Sequence, residues 1–356
     1  MSKNQLLVLH GMGQHTAESF KKEVYDSLKS AFQLYPSLKN VDPEANTEII
    51  GIGYNHIFDA QRSLMAERSK DIKSRLGEIE DMADDLIQNV FSEIQGIEQG
   101  IEDQSFFQTH LVDVLMYRFT TLGERVRIEV AEKIAQAVAT VMGGSQNVHI
   151  LAHSLGTAVL HDTLAKLYTD DWRQQAKSLS VRSHKLGSLH LVANTSRVLE
   201  SFIKVSASVV KPDKLGCTTL YREYRHKYDP ITWAKAFNPS DNGNWISNER
   251  WHLGFYRLIE PTSITSQQGH THAIQHYIQN PLVHLNLFRE VLGIELSEQE
   301  IEQGHQTYID TTLAEVATRL QEQVEQLKEL NLENLGGLMK AAETLKSYIE
   351  SMGGQF

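Results

Sequence analysis

Short apolar runs bounded by turn residues recur along the chain, and segments with helical periodicity separate them. A run of four to eight apolar residues is typical of a strand buried on both faces, and strands that alternate with helices indicate a parallel sheet. The pattern therefore predicts an α/β fold with a doubly wound, mostly parallel sheet. The predicted strands are Leu6–Leu9, Ile49–Ile52, Val148–Ala152, Leu189–Ala193, Thr219–Tyr224 and Phe255–Ile259.

The segment after the first predicted strand has the pattern of an amphipathic helix over Ala17–Phe32. Its apolar residues recur at four-residue steps, which places them on one face of a helix. Thr16 precedes the pattern and is of the type that caps helix N-termini. We expect this helix to pack on the sheet through the face formed by Phe20, Val24, Leu28 and Phe32.

A helical insertion is predicted at residues 57–142. About 95 residues, with no strand signal and no proline, separate Ile52 from Val148, where a connection between parallel strands normally takes a single helix. Apolar residues between Leu64 and Ile94 recur mostly at three- and four-residue steps, as in a long amphipathic helix. Two interpretations fit this pattern equally well: a cap over the core, or an arm used for dimerisation.

A second helical addition is predicted at residues 291–356. Apolar residues repeat at helical spacing on both sides of Gly336 and Gly337, which favours an antiparallel helical hairpin. The α/β core then comprises residues 1–56 and 143–290.

Composition and charge exclude several classes of protein. Hydrophobic residues make up 41% of the chain and charged residues 22%, so disordered and fibrous proteins are excluded. The net charge of -11 repels polyanions and argues against a nucleic-acid partner. The single cysteine, Cys217, forms neither an internal disulfide nor a Cys-rich metal site.

Targeting segments are also missing from the sequence pattern. The apolar run near the N-terminus, Leu6–Leu9, is shorter than the roughly seven residues that a signal peptide needs. No stretch approaches the roughly 18 apolar residues of a membrane-spanning helix. We therefore expect a soluble, cytoplasmic protein.

The most specific motif is Ala-His-Ser-Leu-Gly at residues 152–156, which stands between a predicted strand and an apolar helix. A serine on a sharp turn from strand to helix has strained backbone angles, so the residues two positions away must be small. Ala152 and Gly156 meet this requirement. A serine before a helix is often a simple N-cap, but here both flanking elements lie where a nucleophile elbow needs them. Ser154 is therefore the candidate nucleophile.

A glycine-containing loop, His-Gly-Met-Gly-Gln-His at residues 10–15, follows the first predicted strand. A catalytic serine needs two N–H donors for the developing oxyanion: one from the residue after the nucleophile, and one from a glycine-loosened loop on a neighbouring strand. The expected donors are the N–H groups of Leu155 and Met12. Two glycines in this spacing are too few for a dinucleotide-binding loop, and no Lys-Ser/Thr pair follows, so phosphate binding is not expected.

Three histidines flank the same predicted pocket: His10, His15 and His153. They are candidates for contact with substrate. Polar residues of a turn are the simpler interpretation for each of them.

The two motifs together, each at the end of a strand, resemble those of the α/β-hydrolase superfamily, specifically its lipase- and esterase-like serine hydrolases. The resemblance covers about residues 5–55 and 145–285 and leaves the insertion and the C-terminal extension unassigned. The usual first glycine of the elbow is Ala152 here, a substitution that lipase-like members tolerate. The resemblance implies a Ser-Asp-His order of catalytic residues along the chain, with neither a metal nor a cofactor.

Asp229 resembles the family's catalytic acid. It follows the predicted strand Thr219–Tyr224, and Pro230 after it ends the extended segment, which leaves the carboxylate to orient an imidazole N–H. Asp213 is a weaker competitor because it precedes its strand.

Three histidines follow the last predicted strand: His270, His272 and His276. His272 stands where a helix toward Pro281 is predicted to open, and its placement, with Tyr277 five residues on, resembles that of the family's histidine. His270 and His276 stay open as alternatives. A zinc site built from all three is disfavoured because no carboxylate lies in the cluster and because it leaves the serine elbow unexplained.

The resemblance implies hydrolysis of a carboxylic ester with a hydrophobic acyl group, through an acyl-enzyme on Ser154. A thioesterase or an acyltransferase on the same triad is one alternative. A non-catalytic interaction protein that keeps the fold is another, although the complete order of triad residues argues against it. The expected partner is a small-molecule or lipid-like ester, and the helical additions would suit a homo-oligomer.

Overall fold

The computed structural model describes residues 3–11, 15–61, 63, 117, 121–169, 178–197, 207–229, 232, 245–263 and 271–308. Most of the predicted insertion at 57–142 lies outside these residues, as does the chain after residue 308. The cap, the dimerisation arm and the C-terminal hairpin therefore all stay predictions.

Six parallel strands form one sheet with the order β2-β1-β3-β4-β5-β6. The predicted α/β fold is thereby confirmed, and every described pair of neighbouring strands is parallel. The strands are β1 (Asn4–Leu9), β2 (Thr47–Ile52), β3 (Val148–His153), β4 (Leu186–Val192), β5 (Thr218–Tyr224) and β6 (Tyr256–Ile259).

The largest departure from the predicted strand bounds is in β4. The strand begins at Leu186, three residues before the predicted start at Leu189. Gly187 and Ser188 separate Leu186 from the apolar run that begins at Leu189, and both are residue types typical of turns. In the structure Gly187 packs against the ring of His149, where a Cβ would lie 2.6 Å from its Cε1 atom. Close packing between strands, which sequence periodicity does not show, therefore selects glycine at this position.

The helices cover both faces of the sheet. They are α1 (Ala17–Phe32), α2 (Leu122–Val141), α3 (Leu155–Leu167), α4 (Asn248–His252), α5 (Ile274–Ile278), α6 (Pro281–Leu287) and α7 (Glu298–Thr307), with a 3-10 turn at Pro36–Leu38 and a π-helical turn at Phe288–Leu292. The predicted bounds and cap of α1 are confirmed: the Thr16 hydroxyl accepts from the Ser19 N–H, and the Ser19 hydroxyl accepts from the Thr16 N–H.

Alternate residues of the central strands β1 and β3 contribute to two separate apolar clusters. In β3, Ile150 and Ala152 pack in the cluster that contains α2 and α3, whereas Leu151 packs in the cluster that contains α1, α5 and α6. The second cluster continues past residue 290, because Val291 and Leu292 are buried in it. This arrangement brings the carboxyl ends of β1, β3, β4 and β5 to one edge of the sheet, where ligands bind in open α/β folds.

Among the residues that the structure describes, no helix is both long enough and apolar enough to span a membrane.

Candidate active site

Ser154 stands on a strained turn between β3 and α3. Its backbone angles are φ 56° and ψ -131°, in a region that residues other than glycine rarely adopt. The Ser154 N–H donates to the carbonyl of Val192 at 3.0 Å, which ties the turn to the end of β4. The geometry is that of a nucleophile elbow, which raises the serine side chain at the edge of the sheet.

Two threonines stabilise this strained turn. The carbonyl oxygen of Ser154 accepts hydrogen bonds from the hydroxyl of Thr157 at 2.7 Å and from the hydroxyl of Thr195 at 2.9 Å. The N–H of Thr195 donates in turn to the Thr157 hydroxyl at 2.8 Å. Sequence reasoning missed both residues. Thr195 follows a different strand, so only the pairing of β3 with β4 brings it to the elbow.

The two glycine motifs pack directly against each other. A Cβ on Gly156 would lie 2.7 Å from the carbonyl oxygen of His10, and a Cβ on Gly11 would lie 2.8 Å from the backbone nitrogen of Leu155. Both contacts are with backbone atoms, which have little freedom to move away. Glycine at positions 11 and 156 therefore allows the loop after β1 to reach the elbow.

His272 connects the serine to a buried carboxylate. Its Nε2 lies 3.0 Å from the Ser154 Oγ, and its Nδ1 lies 2.9 Å from the Asp229 Oδ2. A carboxylate only accepts, so Nδ1 carries the proton and Nε2 is left to accept the serine hydroxyl proton. The three residues come from separate loops, after β3, after β5 and before α5. Their contacts are those of a nucleophile, a base and a group that orients the base.

Asp229 is completely buried, with 0% of its surface exposed. Burial alone would raise the pKa of its carboxyl group. The imidazole of His272 and hydrogen bonds from His272 and Tyr277 outweigh burial and hold the pKa of Asp229 below its ordinary value. The carboxyl group is therefore ionised at neutral pH and able to accept the imidazole N–H.

Tyr277 on α5 is the second donor to this carboxylate. Its hydroxyl donates to the Asp229 Oδ2 at 2.7 Å and accepts from the backbone N–H of His226 at 2.9 Å. Burial and the neighbouring carboxylate raise the pKa of Tyr277 well above its ordinary value, so the hydroxyl keeps its proton. Tyr277 therefore helps to hold the side chain of Asp229 in place, through the same Oδ2 that His272 contacts.

The alternative acid and base residues lie elsewhere or outside the described residues. His276 is on α5, and its Nε2 lies 3.2 Å from the Nε2 of His226. Asp213 lies before β5, at the amino ends of the strands, with its Oδ1 3.9 Å from the Nε of Arg250. His270 lies outside the described residues. The sequence predicted that a helix begins at His272. In the structure α5 begins at Ile274, so His272 lies just before it.

One of the two expected oxyanion donors is described. Leu155 is the first residue of α3, where backbone N–H groups have no partner within the helix. Gly11 packs against this N–H, where a Cβ would lie 2.8 Å from the Leu155 nitrogen. Met12, the other expected donor, lies outside the described residues.

The loop after β2 holds the loop after β1 in place. The buried hydroxyl of Tyr54 lies 2.8 Å from the carbonyl oxygen of His10 and 2.7 Å from that of Gly11. The side-chain amide of Asn55 donates to the carbonyl of His15 at 2.7 Å. Sequence reasoning missed Tyr54 and Asn55, whose only sequence signal is their position just after a strand that neighbours β1.

The three flanking histidines form a row that starts at His272. The ring of His153 is 4.7 Å from that of His272 and 5.6 Å from that of His10, and the rings of His10 and His15 are 4.0 Å apart. Burial lowers the pKa of His15. Contact of these residues with substrate stays a prediction. Within the described parts of the chain, no three His, Cys, Asp or Glu side chains are arranged to hold a metal ion.

Comparisons of the chain with protein-family models, with curated proteins and with solved structures gave no match. No relative therefore tests the resemblance carried by the two motifs. The interpretation of this site depends on its own geometry: three side chains from separated loops that meet at hydrogen-bond distance on a strained turn.

Proposed function

We propose that the protein is a serine hydrolase of the α/β-hydrolase type, which cleaves carboxylic esters of a hydrophobic acyl group. The observation that carries this proposal is the continuous series of hydrogen bonds from the Ser154 Oγ through the imidazole of His272 to the carboxylate of Asp229. The strained elbow and the position of these residues at the carboxyl ends of the strands support it further.

The acylation step uses Ser154 and His272. The Ser154 Oγ attacks the carbonyl carbon of the ester while the Nε2 of His272 takes the hydroxyl proton. The tetrahedral intermediate then collapses, the bond from carbon to the leaving oxygen breaks, and His272 gives its proton to the leaving alkoxide. The products of this step are a free alcohol and an acyl group bound to Ser154.

Deacylation repeats the sequence with water. His272 takes a proton from the water as the water oxygen attacks the acyl carbon, and the new tetrahedral intermediate releases a carboxylic acid. The proton returns to the Ser154 oxygen, which restores the resting site. Asp229 stays ionised throughout, holds the Nδ1–H of His272 and stabilises the imidazolium that forms in each step.

The oxyanion of both intermediates is stabilised by backbone dipoles. The N–H of Leu155 is one donor, and the positive end of the α3 helix dipole lies at the same place. The N–H of Met12 is the expected second donor. This chemistry needs neither a metal nor a cofactor.

Thioester hydrolysis and acyl transfer to an alcohol use the same residues and the same bonds. They differ from ester hydrolysis only in the leaving atom or in the acceptor of the acyl group. The insertion at 57–142, as a cap, would select among these substrates. The hydrogen-bonded triad argues against a protein that keeps the fold without catalysis, because such a protein has no need of an aligned serine, histidine and aspartate.

The expected activity is hydrolysis of p-nitrophenyl esters across a series of acyl lengths, with longer acyl chains preferred to acetate. Activity is expected to survive exhaustive dialysis against EDTA, because N–H dipoles rather than a Lewis acid stabilise the oxyanion. Initial rates with each ester, and with the thioester of the preferred acyl group, measure both points. A faster rate with the thioester than with the ester of the same acyl group would indicate that the protein is a thioesterase rather than an esterase. Activity that EDTA abolishes and zinc restores would contradict the mechanism.

A further inference from the structure

His153 makes a contact with the histidine segment of the site that the mechanism above does not use. It is the last residue of β3 and directly precedes Ser154. Its Nε2 lies 2.8 Å from the backbone carbonyl oxygen of His272. A carbonyl oxygen only accepts hydrogen bonds, so the Nε2 of His153 carries a proton and donates it.

This hydrogen bond joins two segments that are distant along the chain. The nucleophile is carried by β3 in the middle of the sheet, whereas His272 lies 119 residues after His153, in the segment that leads into α5. Asp229 contacts the imidazole ring of His272 through its Nδ1. Two hydrogen bonds hold the segment that carries His272. His153 donates to the carbonyl of His272, and the Thr271 hydroxyl donates to the carbonyl of Tyr228 at 2.7 Å.

We propose that His153 is a positioning residue, whose Nε2–H fixes the backbone of His272 so that the imidazole stays in line with Ser154. The inference rests on the proposed serine-hydrolase function and adds to it a residue that acts through the base. Only 4% of the surface of His153 is exposed, which leaves little of it for contact with substrate. This role differs from the substrate contact predicted from the sequence.

A histidine suits this position because it donates an N–H without a permanent charge. The titratable groups near it in the described part of the chain include His10 from the loop after β1, and His272 and Asp229 from the triad. From α1 comes the uncharged ring of Phe20, which stacks on His153 at 6.4 Å with an angle of 23° between the planes. A lysine or an arginine here would place a fixed positive charge beside the imidazolium that His272 must form, and would disfavour that step.

The test replaces His153 with phenylalanine and with glutamine. His153→Phe keeps a planar ring but removes the donor, whereas His153→Gln places an amide N–H close to the position of Nε2. We expect His153→Phe to lower kcat for ester hydrolysis about 10- to 100-fold with little change in KM, because a small misplacement of a catalytic group has effects of this order. We expect His153→Gln to recover most of the loss.

His149→Asn is the matched control. His149 is also a buried histidine on the same face of β3, four residues before His153, and its Nδ1 bonds the Ser188 hydroxyl at 2.7 Å. An asparagine amide can take the place of that Nδ1. This variant is expected to keep the wild-type kcat, which shows that removal of a buried histidine from β3 is not itself the cause of the loss.

The outcomes separate this inference from the proposed function. Equal kcat values for folded His153→Phe, His153→Gln and wild type would overturn the positioning role while the hydrolase proposal stands. Failure of a fluorophosphonate probe to label wild-type Ser154 would overturn both. If His153→Phe does not fold, His153→Asn takes its place, because its amide is one methylene too short to reach the carbonyl. Equal rates for His153→Asn and His153→Gln would then contradict the inference.

Discussion

Replacing His272 with alanine is expected to lower ester turnover by about 10⁴- to 10⁶-fold, the loss seen when the base of a serine triad is removed. Without the imidazole no group takes the proton from the Ser154 hydroxyl, which then remains a weak nucleophile. The measurement is kcat/KM with the preferred p-nitrophenyl ester. The thermal unfolding midpoint of the variant shows whether the fold survives the substitution.

His270→Ala is the matched control for this prediction. His270 is the neighbouring imidazole that the sequence left open as the base, and it is expected to be dispensable because the structure places His272 between Ser154 and Asp229. An inactive His270→Ala variant together with an active His272→Ala variant would transfer the role of base to His270. The proposed fold and nucleophile would remain.

Replacing Asp229 with asparagine is expected to reduce kcat by about 10⁴-fold through the wrong imidazole tautomer. The asparagine amide donates where the carboxylate accepted, so the Nδ1 of His272 becomes the acceptor and Nε2 carries the proton. Nε2 is then unable to accept the serine proton. The Tyr277 hydroxyl bonds the same Asp229 oxygen as His272 does, so the asparagine NH2 that donates to Nδ1 can donate its second hydrogen to the Tyr277 oxygen.

Asp213→Asn serves as the control for this variant. Asp213 lies before β5, near Arg250 and away from the carboxyl ends of the strands, so its replacement is expected to leave kcat unchanged. A loss of activity in Asp213→Asn with retention in Asp229→Asn would contradict the assignment of the acid. Steady-state kinetics of the two variants side by side decide between them.

The core could be predicted from the sequence because its central strands β1 and β3 are almost completely buried. Short, largely apolar runs identified the strands of the described sheet, and the cap at Thr16 located the start of α1. The start of β4 was missed because Gly187 serves close packing with His149, which has no signature in local periodicity. The order of the strands in the sheet likewise depends on how distant segments pack.

The residues that the structure brings into the candidate site were predictable where they carry a local motif. Ser154 stood out because a small-residue pattern accompanies a strained turn, whereas the supporting residues Thr195 and Tyr54 have no such pattern. Their contacts depend on the pairing of β3 with β4 and of β1 with β2. The hydrogen bond from His153 to the His272 backbone could not be predicted for the same reason, since it joins loops of separate strands.

We propose that Ser154 is an activated nucleophile, and labelling with a fluorophosphonate probe tests this role most directly. The probe reacts with a serine only where a base takes the hydroxyl proton, so reaction reports the chemistry without knowledge of the natural substrate. Mass spectrometry of the intact chain and of its peptides locates the adduct. We expect a single adduct on the peptide that carries Ser154, and none in a folded Ser154→Ala variant. An unlabelled wild-type protein, or equal labelling of the Ser154→Ala variant, would contradict it.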